Sequence, residues 1–125
     1  RQGGLFPGEL VVMRAVCESR ENRTTPTAIS RLMAVRPPTI SPIIARLERQ
    51  GLLLRIHGQT DRRKIYLQAT PAGEKAYELA YRQMMAYYQV LIRRLEPEEL
   101  ELFLKLLEKI TPPTFTEEDP PCSNC

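Results

Sequence analysis

Residues 25–55 read TPTAISRLMAVRPPTISPIIARLERQGLLLR. The stretch has the shape of a short amphipathic helix, a three-residue break and a second helix stopped by a glycine, which is a helix-turn-helix. Thr25 suits the N-cap and Pro26 the first helical position, while Ile29, Leu32 and Met33 recur on one face. Ala34-Val35-Arg36 forms the turn. In the second helix Ile40, Ile43, Ile44 and Leu47 make the apolar stripe, and Gly51 stands where a left-handed cap would end it. Thr39, Ser41, Pro42, Ala45 and Arg46 are left facing outward. Small and hydroxylated residues followed by an arginine suit a helix that approaches DNA base edges closely. Pro42 lacks an amide hydrogen and clashes with the carbonyl four residues earlier in a regular helix. The expectation is therefore a late start, capped at Thr39 to Ser41, with both hydroxyls offered to phosphate or bases from the helix entrance.

Beyond Gly51, Leu52 to Ile56 and Lys64 to Gln68 read as two strands joined by HGQTDRR, a hairpin with a cationic tip. Next comes Leu67-Gln68-Ala69-Thr70-Pro71-Ala72-Gly73. This order closely resembles the multiple antibiotic resistance regulator (MarR) family of winged helix-turn-helix repressors. The resemblance rests on Ile44-Ala45-Arg46-Leu47-Glu48-Arg49-Gln50-Gly51, on Asp61-Arg62-Arg63, and on the Thr-Pro-x-Gly start of the next helix, and it covers roughly residues 9 to 110. It implies that Arg63 enters the minor groove and that Asp61 holds the wing's arginines in place. Arg62 and Lys64 are then candidates for phosphate contact. With Thr25, Arg36, Thr39, Ser41 and Arg46, these complete the expected DNA-binding set.

Charge is distributed unevenly. Residues 1–69 carry 12 lysines and arginines against 5 acids, and residues 70–125 carry 6 against 10. A basic half holding the helix-turn-helix and an acidic helical half fit a polyanion-binding surface on a separate assembly scaffold. No apolar run is long enough to span a bilayer and no signal peptide precedes the first helix, so the expected location is cytoplasmic. Three cysteines argue against a secreted disulfide framework.

Ahead of the helix-turn-helix, Pro7-Gly8 reads as a turn and a support helix runs from about Gly8, with Leu10, Val11, Met13, Val16 and Cys17 in its apolar pattern. Glu18 to Thr25 is a polar run. MarR relatives usually place another helix before this one, and the sequence leaves room for at most a remnant. Cys17 reads as a small core residue. His57, the only histidine, reads as an ordinary exposed residue opening the wing turn.

After the hairpin, Thr70-Pro71 caps a long helix running to about Leu95, with Tyr77, Ala80, Tyr81, Met84, Tyr88, Leu91 and Leu95 in one stripe. Glu96-Pro97-Glu98-Glu99 starts a last helix. Its Leu100, Phe103, Leu104 and Leu107 stripe is accompanied by Leu102 and Leu106 on another side. One face packs within the chain and the other meets a partner chain, and Leu95, Leu100, Leu102, Phe103 and Leu106 are the expected dimerisation residues. Residues 111–125, proline-rich and acidic, read as a disordered tail whose Cys122 and Cys125 have no assigned task.

The reading is a mainly α chain with a small β-hairpin wing: a winged helix-turn-helix with long C-terminal dimerisation helices. One domain spans residues 1–110, with its DNA-binding core at about 9–69 and dimerisation helices at about 71–110. The expected function is that of a homodimeric transcriptional regulator, a repressor of a pseudo-palindromic operator, with no cofactor and no metal. The resemblance implies release by a small aromatic or phenolic anion as one option, and a cysteine-oxidation switch is the second. Its rival is a winged-helix protein-interaction module, which Arg46, Arg62, Arg63 and Lys64 oppose. An enzyme would rest on the tail thiols alone.

Overall fold

The computed structural model describes residues 4–110. Its elements run α1 (Pro7–Cys17), a 3-10 turn (Arg20–Asn22), β1 (Arg23–Thr24), α2 (Pro26–Met33), α3 (Pro37–Arg49), β2 (Leu53–His57), β3 (Ile65–Ala69), α4 (Pro71–Ile92) and α5 (Pro97–Ile110). The strands form one antiparallel sheet in the order β1-β3-β2. This is the expected winged helix-turn-helix architecture, with a third strand added. The tail and its two cysteines lie outside the described residues.

Several boundaries differ from the sequence reading, each for a local reason. Pro7 is the first residue of α1 rather than part of a turn. A proline there loses no helical hydrogen bond, and the Glu9 carboxylate accepts from the Phe6 amide at 2.9 Å. The polar run after α1 hides β1, whose Arg23 and Thr24 pair with Gln68 and Leu67. Both hairpin strands sit one residue later than expected.

The largest departure is in α3. It begins at Pro37, with Arg36 as N-cap, so Pro42 lies inside the helix rather than in its first turn. Pro37 and Pro38 both fill positions whose amides have no helical partner, and Arg36, preceding a proline, adopts the extended ψ of 150° that such a residue prefers. Thr39 N closes the first turn on Arg36 O at 2.9 Å. Pro38 and Pro42 are both exposed, which leaves the carbonyl that loses its donor within reach of water. Ser41 Oγ, just before Pro42, donates back to Pro37 O at 2.9 Å and reinforces the turn that the proline weakens.

Caps define the other ends. Thr25 Oγ1 accepts from Ala28 N at 3.1 Å. Ala34 ends α2 in the left-handed region at φ 54°, and Val35 N bonds back to Ser30 O at 3.0 Å. Gly51 ends α3 at φ 73°, where a side chain would be strained.

The core consists of Val12, Met13 and Val16 from α1, Ile29 from α2, Ile40, Ile44 and Leu47 from α3, and Leu53, Leu67 and Ala69 from the sheet. Leu32, expected in it, is exposed, and α2 buries Ser30 instead. The inner face of the hairpin leaves this core at Arg55, whose Nε reaches back to Glu48 Oε1 of α3 at 2.6 Å.

At the other end of the sheet, Thr70 joins α3 to α4. Its hydroxyl donates to Gly51 O at 2.6 Å and accepts from Gly73 N at 3.0 Å, capping α4. Gly73 itself is buried, and a Cβ there would lie 2.1 Å from Leu52 O, so the first turn of α4 nests on backbone. At 22 residues α4 is about 33 Å long. It ends at Ile92 rather than near Leu95, which falls in the half-buried link to α5.

Candidate nucleic-acid interface

Because α3 starts at Pro37 and turns 100° per residue, its faces can be assigned from the buried side. Ile40, Ile44 and Leu47 point to the core. The opposite side carries Pro38, Pro42, Ala45 and Arg49, with Thr39 and Arg46 along one flank and Ser41 on the other. All of these are exposed except Ala45, which is half-buried. Thr39 and Ser41 therefore do not act together at a helix entrance, and Ser41 has committed its proton to Pro37 O. Arg49, absent from the sequence-derived set, stands in the centre of the outward face. Extending the 3.6-residue spacing by one turn from Ala45 would have found it.

Thr25 opens α2 on a hollow of about 370 Å³ that Arg20, Arg23 and Tyr66 also line. Arg23 stacks over the Tyr66 ring at 5.5 Å and pairs with Glu21 at 2.9 Å. No sequence pattern marked these residues, because a two-residue strand has no periodicity to read. Arg36, the N-cap of α3, is exposed on the same helix-turn-helix.

The wing places Arg62, Arg63 and Lys64 at an exposed tip. Asp61 Oδ1 accepts from Arg63 N at 3.0 Å and from Arg63 Nε at 3.3 Å. The Arg63 side chain nevertheless remains 93% exposed, so the carboxylate orients the guanidinium without covering it. Gly58 N bonds to Lys64 O at 2.9 Å and Lys64 N to Asp61 O at 3.1 Å, closing the tip. His57 is the last residue of β2 rather than a turn residue, and its ring Nδ1 lies 3.1 Å from Arg62 O.

Where α1 meets α4, Tyr77 donates its hydroxyl proton to Glu18 Oε1 at 2.8 Å, and Arg14 Nε pairs with Glu18 Oε2 at 3.1 Å. These two bonds pull the Glu18 carboxyl below its ordinary value. Burial, followed by the bond to Glu18, pushes the Tyr77 phenol up to about 12. Burial also raises the Cys17 thiol to about 11, with Glu74 and Glu18 adding to it. Cys17 is half-buried against the core and stays a thiol at neutral pH.

Among the described residues none of α5 is buried. Leu102, Phe103 and Leu106 are exposed, while Leu95 and Leu100 are half-buried. Among the described residues no helix is long and apolar enough to cross a membrane, and no group of three or more His, Cys, Asp or Glu side chains is placed to hold a metal ion.

The model of the MarR family matches residues 9–65, the segment from α1 to the start of β3. The chain is 32% identical over 88 residues to the homoprotocatechuate degradative operon repressor of Escherichia coli, a match covering 70% of this chain and 60% of that protein. It is 25% identical over 104 residues to the HTH-type transcriptional repressor YetL of Bacillus subtilis, covering 83% of this chain and 62% of that one. The chain thus spans about 60% of the length of these curated relatives. Its fold matches that of Bordetella bronchiseptica BpsR, whose DNA binding is regulated by 6-hydroxynicotinic acid, with a TM-score of 0.71 at 25% identity, over 85% of this chain and 74% of that one.

Proposed function

This chain belongs to the MarR family, and from that premise we propose that it is a DNA-binding transcriptional regulator, a repressor in the simplest case, rather than a catalyst. It would act in the cytoplasm as a homodimer on a pseudo-palindromic operator. The observation that carries this reading is the pair of exposed cationic projections, the outward face of α3 and the tip of the wing, tied together by the Glu48–Arg55 pair. In the major groove Ala45, Pro38 and Pro42 supply small apolar contacts of the kind that fit thymine methyl groups, while Arg46 and Arg49 reach guanine edges or phosphate. Thr25, Arg36, Thr39 and Lys64 contact the backbone. Arg63, oriented by Asp61, enters the adjacent minor groove, and Arg62 takes a phosphate.

Two reading heads follow from the apolar surface of α4 and α5, which has no cover among the described residues. A second copy seated there places two α3 helices on one face, with half-sites about 10 bp apart centre to centre. A small aromatic anion would release the DNA by favouring a different spacing of the heads. The regulation of BpsR by 6-hydroxynicotinic acid supports that part by similarity.

The test is a duplex selection from random sequence with the purified chain, followed by anisotropy titration of the enriched sequence. The expected result is a palindromic site bound two chains per duplex, with affinity falling steeply with salt. Arg63→Ala is expected to weaken it about tenfold and to reduce the salt slope by about one. Enrichment of no sequence, or binding unchanged by Arg63→Ala at every salt concentration, would remove the reading.

A further inference from the structure

The peptide unit joining Arg62 to Arg63 is held at both ends. Its carbonyl, Arg62 O, meets the His57 ring nitrogen Nδ1 at 3.1 Å, and its amide, Arg63 N, donates to Asp61 Oδ1 at 3.0 Å. The orientation of that peptide plane determines where both arginine side chains leave the backbone. A carbonyl only accepts, so the proton between Nδ1 and Arg62 O belongs to the ring. His57 is thereby held as the Nδ1–H form, and it lines an open hollow with Gly58, Gln59 and Arg62.

We propose that His57 is a positioning residue of the wing: with Asp61 it clamps the Arg62–Arg63 peptide and presents both arginines to DNA as one preorganised unit. The inference rests on the DNA-binding reading above and extends it to a residue that touches no base itself. Without the clamp the tip must be ordered on binding, and the entropy of that ordering is subtracted from affinity.

The two ring nitrogens of histidine have different side-chain mimics. Asparagine carries its amide nitrogen close to the place of Nδ1, whereas glutamine carries its own close to Nε2. His57→Asn is therefore expected to hold the selected duplex within about twofold of the parent. His57→Gln and His57→Ala are expected to weaken it about 3- to 10-fold, the range of one ordered hydrogen bond. Added to Arg63→Ala, His57→Ala is expected to cost less than it does alone, because the two act through one contact. His57 is exposed, and all three variants should unfold at the parental midpoint.

A second readout needs no DNA. As the only histidine, His57 gives one imidazole pattern in a long-range proton–nitrogen correlation spectrum, which distinguishes the two ring nitrogens by which of them carries the proton. The Nδ1–H pattern is expected. An Nε2–H pattern, equal affinities for the Asn and Gln variants, or full additivity with Arg63→Ala each overturns the clamp. If Arg63→Ala costs affinity and His57→Ala does not, only this inference falls. If Arg63→Ala costs nothing, the wing contact falls with it.

Discussion

Two regions of this chain carry apolar residues at helical spacing, and only one of them encloses what it carries. Among the described residues every buried apolar side chain lies between Val12 and Ala69, while from Glu74 to Ile110 no residue is buried. In the first region three helices and a sheet bring their stripes together around one centre. In the second, α5 shows Leu102 at 58% exposure, Leu106 at 50% and Ile110 at 75%. Apolar patches that extend along two helices are characteristic of surfaces meant for a partner. The contrast separates two meanings of amphipathicity: one stripe is satisfied by its neighbours in the fold, and the other, on the proposed reading, is satisfied by a second copy.

The strongest attack on that contrast places charge in the second region. Leu102→Asp combined with Leu106→Asp is expected to leave the chain monomeric in sedimentation and to lower operator affinity by about 100-fold or more, the loss that follows when two linked heads become independent. The far-ultraviolet dichroism of the lobe should persist. A double variant that stays dimeric would break the comparison.

Within the closed region, Leu67→Ala removes a side chain with no exposed surface and is expected to cost about 3 kcal/mol in urea unfolding. In the monomeric background, Leu104→Ala should cost well under about 1 kcal/mol, because an exposed leucine leaves no cavity.

The smallest effect sharpens the border between the regions, where Tyr77 of α4 meets Glu18. Tyr77 holds its proton up to about 12 when folded, against an ordinary value of 10.0. Between those values the folded chain keeps a proton that the unfolded chain releases, so stability is complete below about pH 10 and falls as pH rises towards 12. Glu18 acts at the other limb: its folded value is depressed from 4.5, so its contribution is present above that pH and is lost as pH falls through the folded value. Tyr77→Phe is expected to flatten the alkaline limb and weaken the acid one in urea titrations. An unchanged alkaline limb would show that the bond contributes nothing to stability.

The elements that were legible in the sequence are those whose signals are local. Thr25, Gly51 and Thr70 mark helix ends by side-chain or backbone chemistry that needs no neighbour, and the Ile40, Ile44 and Leu47 spacing marks a buried face. Strand β1 was invisible because Arg23 and Thr24 become a strand only through Gln68 and Leu67, more than forty positions away. Pro42 misled because the rule against internal proline presumes a helix with nothing supporting it, whereas the start at Pro37 and the Ser41 back-bond carry the helix through. Leu32 misled because spacing alone does not say which of two neighbouring helical positions the core will cover. For the proposed DNA-facing set, residue types and the wing order pointed to Arg46 and Arg62 to Lys64. Arg49 needed the helix phase, and the contact between His57 and Arg62 O needed coordinates.

The nesting of Gly73 on Leu52 O, together with the Thr70 hydroxyl on Gly51 O, makes the meeting of α3 and α4 a weld and not a bearing. A helix seated so tightly cannot swivel on its own axis without dragging the end of its neighbour. Moving the first turn of α4 therefore means moving the end of α3 with it, since the two share a backbone contact with no slack.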